Sequence, residues 1–165
     1  MKTLFIVRHA KSSWKHPYLS DFERPLNGRG KRDLPDMTNR FSETDYMVDL
    51  MLTSPAARAL TTAKAFSDKL NMGNEQFLLK ENFYHASTRT IRNELAQVSD
   101  KADSVMIFGH NPGLTSLIET LSDFNLYNLP TCAICGICFE IGTWKEILYS
   151  TGQKIYYDYP KSKTQ

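Results

Sequence analysis

Three apolar runs in this chain each stop at a polar residue and then lead towards a helix. That repeated punctuation narrows the possible folds more than any other feature. The first run is Leu4-Phe5-Ile6-Val7, closed by Arg8 and His9. Its β-branched and aromatic make-up suits a strand covered on both faces, over about Thr3 to Arg8. The second run is Leu50-Met51-Leu52-Thr53, followed by Ser54 and Pro55. Serine suits a helix N-cap, and proline suits the first helical position, where its missing N–H costs nothing. Arg58 then falls in the first helical turn. The third run, Val105 to Phe108, is followed by Gly109, His110, Asn111 and Pro112. Asn111 takes the cap position there and Pro112 opens the helix. Strands alternating with helices predict an α/β protein, a three-layer α/β/α sandwich with a mostly parallel sheet.

Ligands of open α/β sheets gather beyond the carboxyl ends of the strands. A strand ending in a polar pair is common, so Arg8-His9 alone says little. An isolated helical arginine is usually solvated. Taken together, three strand exits deliver Arg8, His9, Arg58 and His110 to one crevice. Cations held close depress histidine pKa values and strain an empty site, and a phosphate dianion relieves that cost. Two helix N-termini add their own preference for an anion. A nucleophilic histidine needs one ring nitrogen with a lone pair, while the other sends its proton to an acceptor such as a backbone carbonyl. His9 fits that role, with Arg8 and Arg58 gripping phosphoryl oxygens and His110 donating to one of them.

The rest of the chain fits one domain over residues 1–165, with the tail from 155 expected to be loose. A polar loop, Ala10 to Leu26, carries Trp14, His16, Asp21 and Arg24. Asn27 caps a helix with apolar positions Leu34, Met37 and Phe41, in which Pro35 is awkward. Strand segments are expected at Val48–Thr53, Gln76–Leu79 and Ser104–Phe108. Helices are expected at Pro55–Lys69, from Ser87 or Thr88 through Val98, and at Pro112–Leu121. Thr131–Ile141 and Trp144–Ser150 read as a closing hairpin about Gly142-Thr143. His16 and His85, in polar loops, are expected to be solvated, and Trp14 to shape a rim or pack.

Composition bounds the rest. A net charge of +2 gives no broad basic field for nucleic acid. No apolar stretch approaches the roughly 20 residues that span a bilayer. The chain enters a strand at once, so the expectation is no signal peptide, no membrane and a cytoplasmic location. Cys132, Cys135 and Cys138 are spaced Cys-x-x-Cys-x-x-Cys, which tempts a metal or redox reading. A tetrahedral site lacks a fourth ligand nearby, and residues three apart in a strand face opposite ways. Buried structural thiols are expected, although a bulge at Gly136 would keep metal open. Neither a metal nor another cofactor is assigned.

The stretches Leu4–Lys11 (LFIVRHAK), Asp21–Gly30 (DFERPLNGRG), Leu52–Thr62 (LTSPAARALTT) and Val105–Leu114 (VMIFGHNPGL) resemble the histidine phosphatase, or phosphoglycerate-mutase-like, superfamily. They stand in family order, and within that superfamily the chain is most similar to the short SixA-type phosphohistidine phosphatases. The resemblance implies the same sandwich with an antiparallel edge, and phosphoryl transfer through a phosphohistidine at His9. Many relatives draw a general acid from the segment after the Arg-bearing helix, where Glu81 lies. Asp21 and Glu23, after the nucleophile, are alternatives. A phosphohistidine substrate needs little proton assistance, because its leaving imidazole has a near-neutral pKa. Arg24 and Asn27 are further candidates for touching phosphate. The expected function is a metal-independent phosphatase acting on a phosphorylated protein, as a monomer or weak dimer. The alternatives are a phosphomonoesterase for small phosphate esters and, less favoured, a non-catalytic phosphate-binding module. A mutase is disfavoured because it must exclude water.

Overall fold

The computed structural model describes residues 1–163. Its strands are β1 (Lys2–Arg8), β2 (Leu50–Thr53), β3 (Phe77–Leu79), β4 (Ser104–Gly109), β5 (Ile134–Phe139) and β6 (Gln153–Asp158). The helices are α1 (Gly28–Ser42), α2 (Ala57–Lys69), α3 (Thr88–Ala96) and α4 (Gly113–Leu121). One six-stranded sheet runs in the order β3-β2-β4-β1-β5-β6. The β1, β2, β3 and β4 ladder is parallel, and β5 and β6 form an antiparallel edge.

Register is what builds the site. Arg8 lies opposite Gly109, and Thr53 opposite Phe108, so three strands end level with one another. Whatever follows each strand emerges at one edge. Alternation along the strands divides the core into two layers. Phe5, Val7, Met51, Met106 and Phe108 pack with Leu34, Met37 and Phe41 of α1 and Phe66 of α2. Leu4, Ile6, Leu52, Val105 and Ile107 pack with Ile91 and Leu95 of α3 and Leu114 and Leu117 of α4. The sandwich expected from the sequence is therefore present.

Local details differ from expectation, each for a visible reason. Pro35 lies inside α1, which runs through it to Ser42, and Asn27 caps the helix by accepting from the Gly30 amide at 2.8 Å. Gly30 is needed there, because a Cβ would stand 2.2 Å from the Lys11 carbonyl. That close approach seats α1 against the chain just after His9. Ser54 does not cap α2, whose N-cap is Ala56. The α4 helix begins at Gly113, and the Asn111 side chain still accepts from Thr115 N–H at 3.3 Å.

The closing hairpin is a larger correction. Trp144–Leu148 is a short 3-10 turn, and Trp144 is buried with its indole donating to the Ala102 carbonyl at 2.7 Å. The second strand of the hairpin is β6, Gln153–Asp158, which runs into the stretch from 155 expected to be a loose tail. Tyr156 and Tyr157 pack against the two core layers, and Arg40 of α1 holds Asp158 at 3.2 Å. A 3-10 turn, Pro160–Lys163, follows, and Thr164 and Gln165 lie outside the described residues. Cys132 and Cys135 are buried and Cys138 is partly buried, all as free thiols. The bulge foreseen at Gly136 occurs between Gly136 and Ile137 in the β5–β6 pairing. Cys135 packs in one core layer and Cys132 in the other. Burial drives the Cys135 thiol up to about 12, so it is a neutral packing group.

Candidate active site

The position of His9 is built from backbone outward. Beyond β1, His9 N–H donates to the Gly109 carbonyl at 3.2 Å, and Cys132 N–H donates to the Arg8 and His9 carbonyls. The Ala10 amide donates to the Thr62 hydroxyl at 2.9 Å, and that hydroxyl donates to the Arg58 carbonyl at 2.8 Å. Thr62 thus ties this peptide to the first turns of α2. The Ala10 carbonyl, so fixed, lies 2.8 Å from Nδ1 of His9. A carbonyl only accepts, so Nδ1 carries the proton and Nε2 keeps its lone pair. Burial, together with Arg58, Arg8 and Arg24, pushes the imidazole down to about 4. Only the Ala10 contact opposes that shift. His9 is therefore neutral across the physiological range, with a lone pair on Nε2.

The arginines are anchored on one side and available on the other. Arg8 donates to the Leu129 carbonyl at 3.0 Å, and its buried Nε has no partner among the described residues. Burial and the neighbouring Arg58 both lower its pKa, the signature of a cation lacking a counter-ion. Arg58 donates to the Asp21 carbonyl at 2.6 Å and to its carboxylate at 3.0 Å. Arg24 donates to the same carboxylate at 2.8 Å and to the Ser13 carbonyl at 3.1 Å, and also reaches the Ser12 hydroxyl. Its guanidinium lies 3.4 Å from the centre of the Trp14 ring, a cation–π contact.

Asp21 is the hub of this rim. Partial burial works to raise its pKa, but hydrogen bonds from Tyr84, Arg58 and Arg24 outweigh it and hold the carboxyl well below its usual range. The Tyr84 hydroxyl donates at 2.6 Å, and His85 Nε2 lies 3.3 Å away. Asp21 in this arrangement is an ionised acceptor that orients Arg58.

His110, beyond β4, faces His9 with ring centres 5.3 Å apart. Its Nε2 is 2.8 Å from the Ser54 hydroxyl, and its buried Nδ1 has no partner among the described residues. Burial, then His9, Arg58 and His85, push it down to about 3. Together Arg8, His9, Arg24, Arg58 and His110 line a cleft of about 230 Å³, with Trp14 and His85 at its edge. Two orphaned buried polar atoms, Arg8 Nε and His110 Nδ1, belong to residues lining this one space. Buried donors left unpaired are costly, and a tetrahedral oxyanion would satisfy both.

The structure thus brings together Arg8, His9, Arg58, His110 and Arg24, with Asp21 beside them. Glu81, on a short 3-10 turn, is exposed and does not line the cleft. Asn27 spends its side chain on the α1 cap and does not line it either. Glu23 is exposed and turns back to Ser20. His85 is exposed, as expected of a loop residue, and it also stands at the edge of the cleft, with φ of 52° and its ring 4.1 Å from that of Tyr84. Thr62, Ser54 and Tyr84 were not foreseen as parts of the site, and only the tertiary fold joins them to it. Among the described residues no group of three or more His, Cys, Asp or Glu is arranged to hold a metal ion. None of the helices described is long and apolar enough to cross a membrane.

Residues 4–84, which include Arg8, His9 and Arg58, match the model of the histidine phosphatase superfamily, branch 1, whose members are phosphatases. An uncharacterized chloroplastic protein of Arabidopsis thaliana is 26% identical over 161 residues, covering 92% of this chain and 72% of the relative. A SixA from Agrobacterium tumefaciens, described as a phosphohistidine phosphatase, superposes with a TM-score of 0.82 at 24% identity, over 96% of this chain and 98% of its own. The protein histidine phosphatase SixA complexed with tungstate gives a TM-score of 0.80 at 20% identity, over 96% and 97% of the two chains. The two superpositions establish the phosphoglycerate mutase-like fold.

Proposed function

We propose that this chain is a phosphatase that works through a phosphohistidine on His9 and takes protein phosphohistidine as its substrate. The observation that carries the reading is the 2.8 Å contact of His9 Nδ1 with the Ala10 carbonyl, which leaves Nε2 with its lone pair among Arg8, Arg58 and His110. In-line attack by Nε2 forms a nitrogen–phosphorus bond as the leaving group departs with its electron pair. Water then attacks phosphorus, the bond to His9 breaks, and inorganic phosphate is released. Arg8 and Arg58 hold the equatorial oxygens throughout, and His110 donates where their charge grows. The two arginines supply the positive charge, so no metal enters the scheme.

Two features near the floor of the cleft support this substrate class. Asp21 is ionised and Glu81 lies outside the cleft, so among the described residues no carboxylic acid lining the cleft is poised to protonate a leaving alkoxide. A leaving imidazole needs little such help, because it departs neutral when its other ring nitrogen carries a proton. Exposed Trp14, Tyr18 and Phe22, on the loop beside the cleft, suit contact with a protein surface. The SixA likenesses, proteins described as phosphohistidine phosphatases, support the same choice. A hydrolysis panel tests it, with a phosphohistidine-bearing protein, free phosphohistidine, an aryl phosphate and a sugar monophosphate. The phosphoprotein should be cleaved fastest and the sugar ester slowest. A sugar phosphate cleaved faster than the phosphoprotein would replace this reading with a small-molecule phosphomonoesterase.

A further inference from the structure

Among the described residues, the buried hydroxyl of Ser54 has one neighbour that can accept its proton. The residue is fully buried, and its Oγ has two hydrogen-bond partners there: the Ala56 amide at 3.3 Å and Nε2 of His110 at 2.8 Å. The amide can only donate, so it occupies an oxygen lone pair. The hydroxyl proton must then go to His110 Nε2, since a buried donor without an acceptor is costly. With Nε2 accepting, the ring proton sits on Nδ1. That atom is buried and has no partner among the described residues, on a side chain that lines the cleft opposite His9.

We infer that Ser54 is a positioning residue: its hydroxyl holds His110 as the Nδ1–H tautomer, so that Nδ1 presents a donor to a phosphoryl oxygen. The inference rests on the phosphatase reading for its functional half and on hydrogen-bond accounting alone for its structural half. The tautomer matters because His110 is neutral; burial, with His9 and Arg58, keeps it so. An imidazolium would donate from both nitrogens whatever Ser54 did. A neutral ring has one proton, and on the wrong nitrogen it would aim a lone pair at an oxyanion. Free imidazole side chains favour the proton on Nε2, so the Nδ1–H form needs a partner to hold it. The local backbone agrees, because α2 starts too late for Ser54 to cap it in the usual way, and its hydroxyl is left to His110.

The test begins with the unaltered protein, which avoids any failure to fold. Long-range proton–nitrogen NMR of histidine-labelled protein reads the tautomer of each of its 4 histidines directly. His110 should show a protonated Nδ1 and an unprotonated Nε2, and a protonated Nε2 would overturn the inference. Ser54→Ala should then move the proton towards Nε2 and lower kcat about 10- to 100-fold, with little change in KM. Ser54→Thr, which keeps the hydroxyl, should restore both the tautomer and most of the rate. A Ser54→Ala protein with wild-type kcat would also overturn it. A wild type that carries Nδ1–H yet hydrolyses no phosphorylated substrate would uphold the tautomer and remove the phosphatase reading, so the two failures are distinguishable.

Discussion

The floor of the cleft and its rim are held by different physics. On the floor, His9, Arg58 and His110 are only 7%, 4% and 6% exposed. On the rim, the Asp21 side chain is 40% exposed and that of His85 is 59% exposed. Charges on the floor act through a weakly screening interior, whereas those on the rim are damped by water and salt. Floor residues also have their geometry fixed from behind: His9 by the Ala10 carbonyl, His110 by Ser54, Arg8 by the Leu129 carbonyl. On the rim, Asp21 is held by Tyr84 and Arg24 and reaches down to Arg58. The floor should therefore carry the chemistry and the rim should tune it.

The largest expected break in that contrast is His9→Ala. Turnover should fall below detection, since no other described residue offers a neutral lone pair at that place. Retained turnover in this variant would remove the floor's claim to the chemistry. Next come Arg58→Ala and His110→Ala, each expected to lower kcat by about 10²- to 10³-fold through loss of preorganised charge stabilisation. If either raises only KM, that residue binds the ground state and does not favour the transition state. Asp21→Asn, on the rim, should cost about fivefold, in line with a partly exposed ion pair. A loss as large as that of Arg58→Ala would erase the distinction between floor and rim. Glu81→Gln, outside the cleft altogether, should leave kcat unchanged.

Acid sharpens the same contrast. His9 and His110 are pushed from the ordinary 6.5 to about 4 and about 3. The unfolded chain therefore takes up protons that the fold refuses. Their contribution to stability is complete above about 6.5 and is lost as pH falls through the folded values. Thermal melts at stepped pH should fall across that window for the wild type, and less steeply for His9→Ala. An equal fall in both would mean that His9 is not held neutral by the fold.

The floor was legible in the sequence because each of its parts is local. A strand exit, a polar residue and a helix start are all read within ten residues, and parallel register then brings three of them level. The rim was not legible. Nothing near Glu81 in sequence shows that it points away, and nothing near His85 shows that a left-handed backbone turns it to the cleft. Ser54 misled for a related reason: a serine before a proline and a helix carries the signature of an N-cap, and only the arrival of His110 from β4 redirects its hydroxyl. Strand β6 was missed because Tyr156 and Tyr157 look like a polar tail until two core layers are present to cover them. Local grammar transmits backbone direction well, and it transmits long-range side-chain partners poorly.

The central claim is that His9 takes the phosphoryl group on Nε2. It is tested most directly by mixing the enzyme with a phosphohistidine-bearing protein, quenching in base within the first turnover, and mapping the adduct by mass spectrometry. The account predicts a base-stable, acid-labile phosphoryl group on the peptide containing His9, absent from His9→Ala. A phosphoryl group on any other residue, or full single-turnover hydrolysis with no adduct formed, would contradict it.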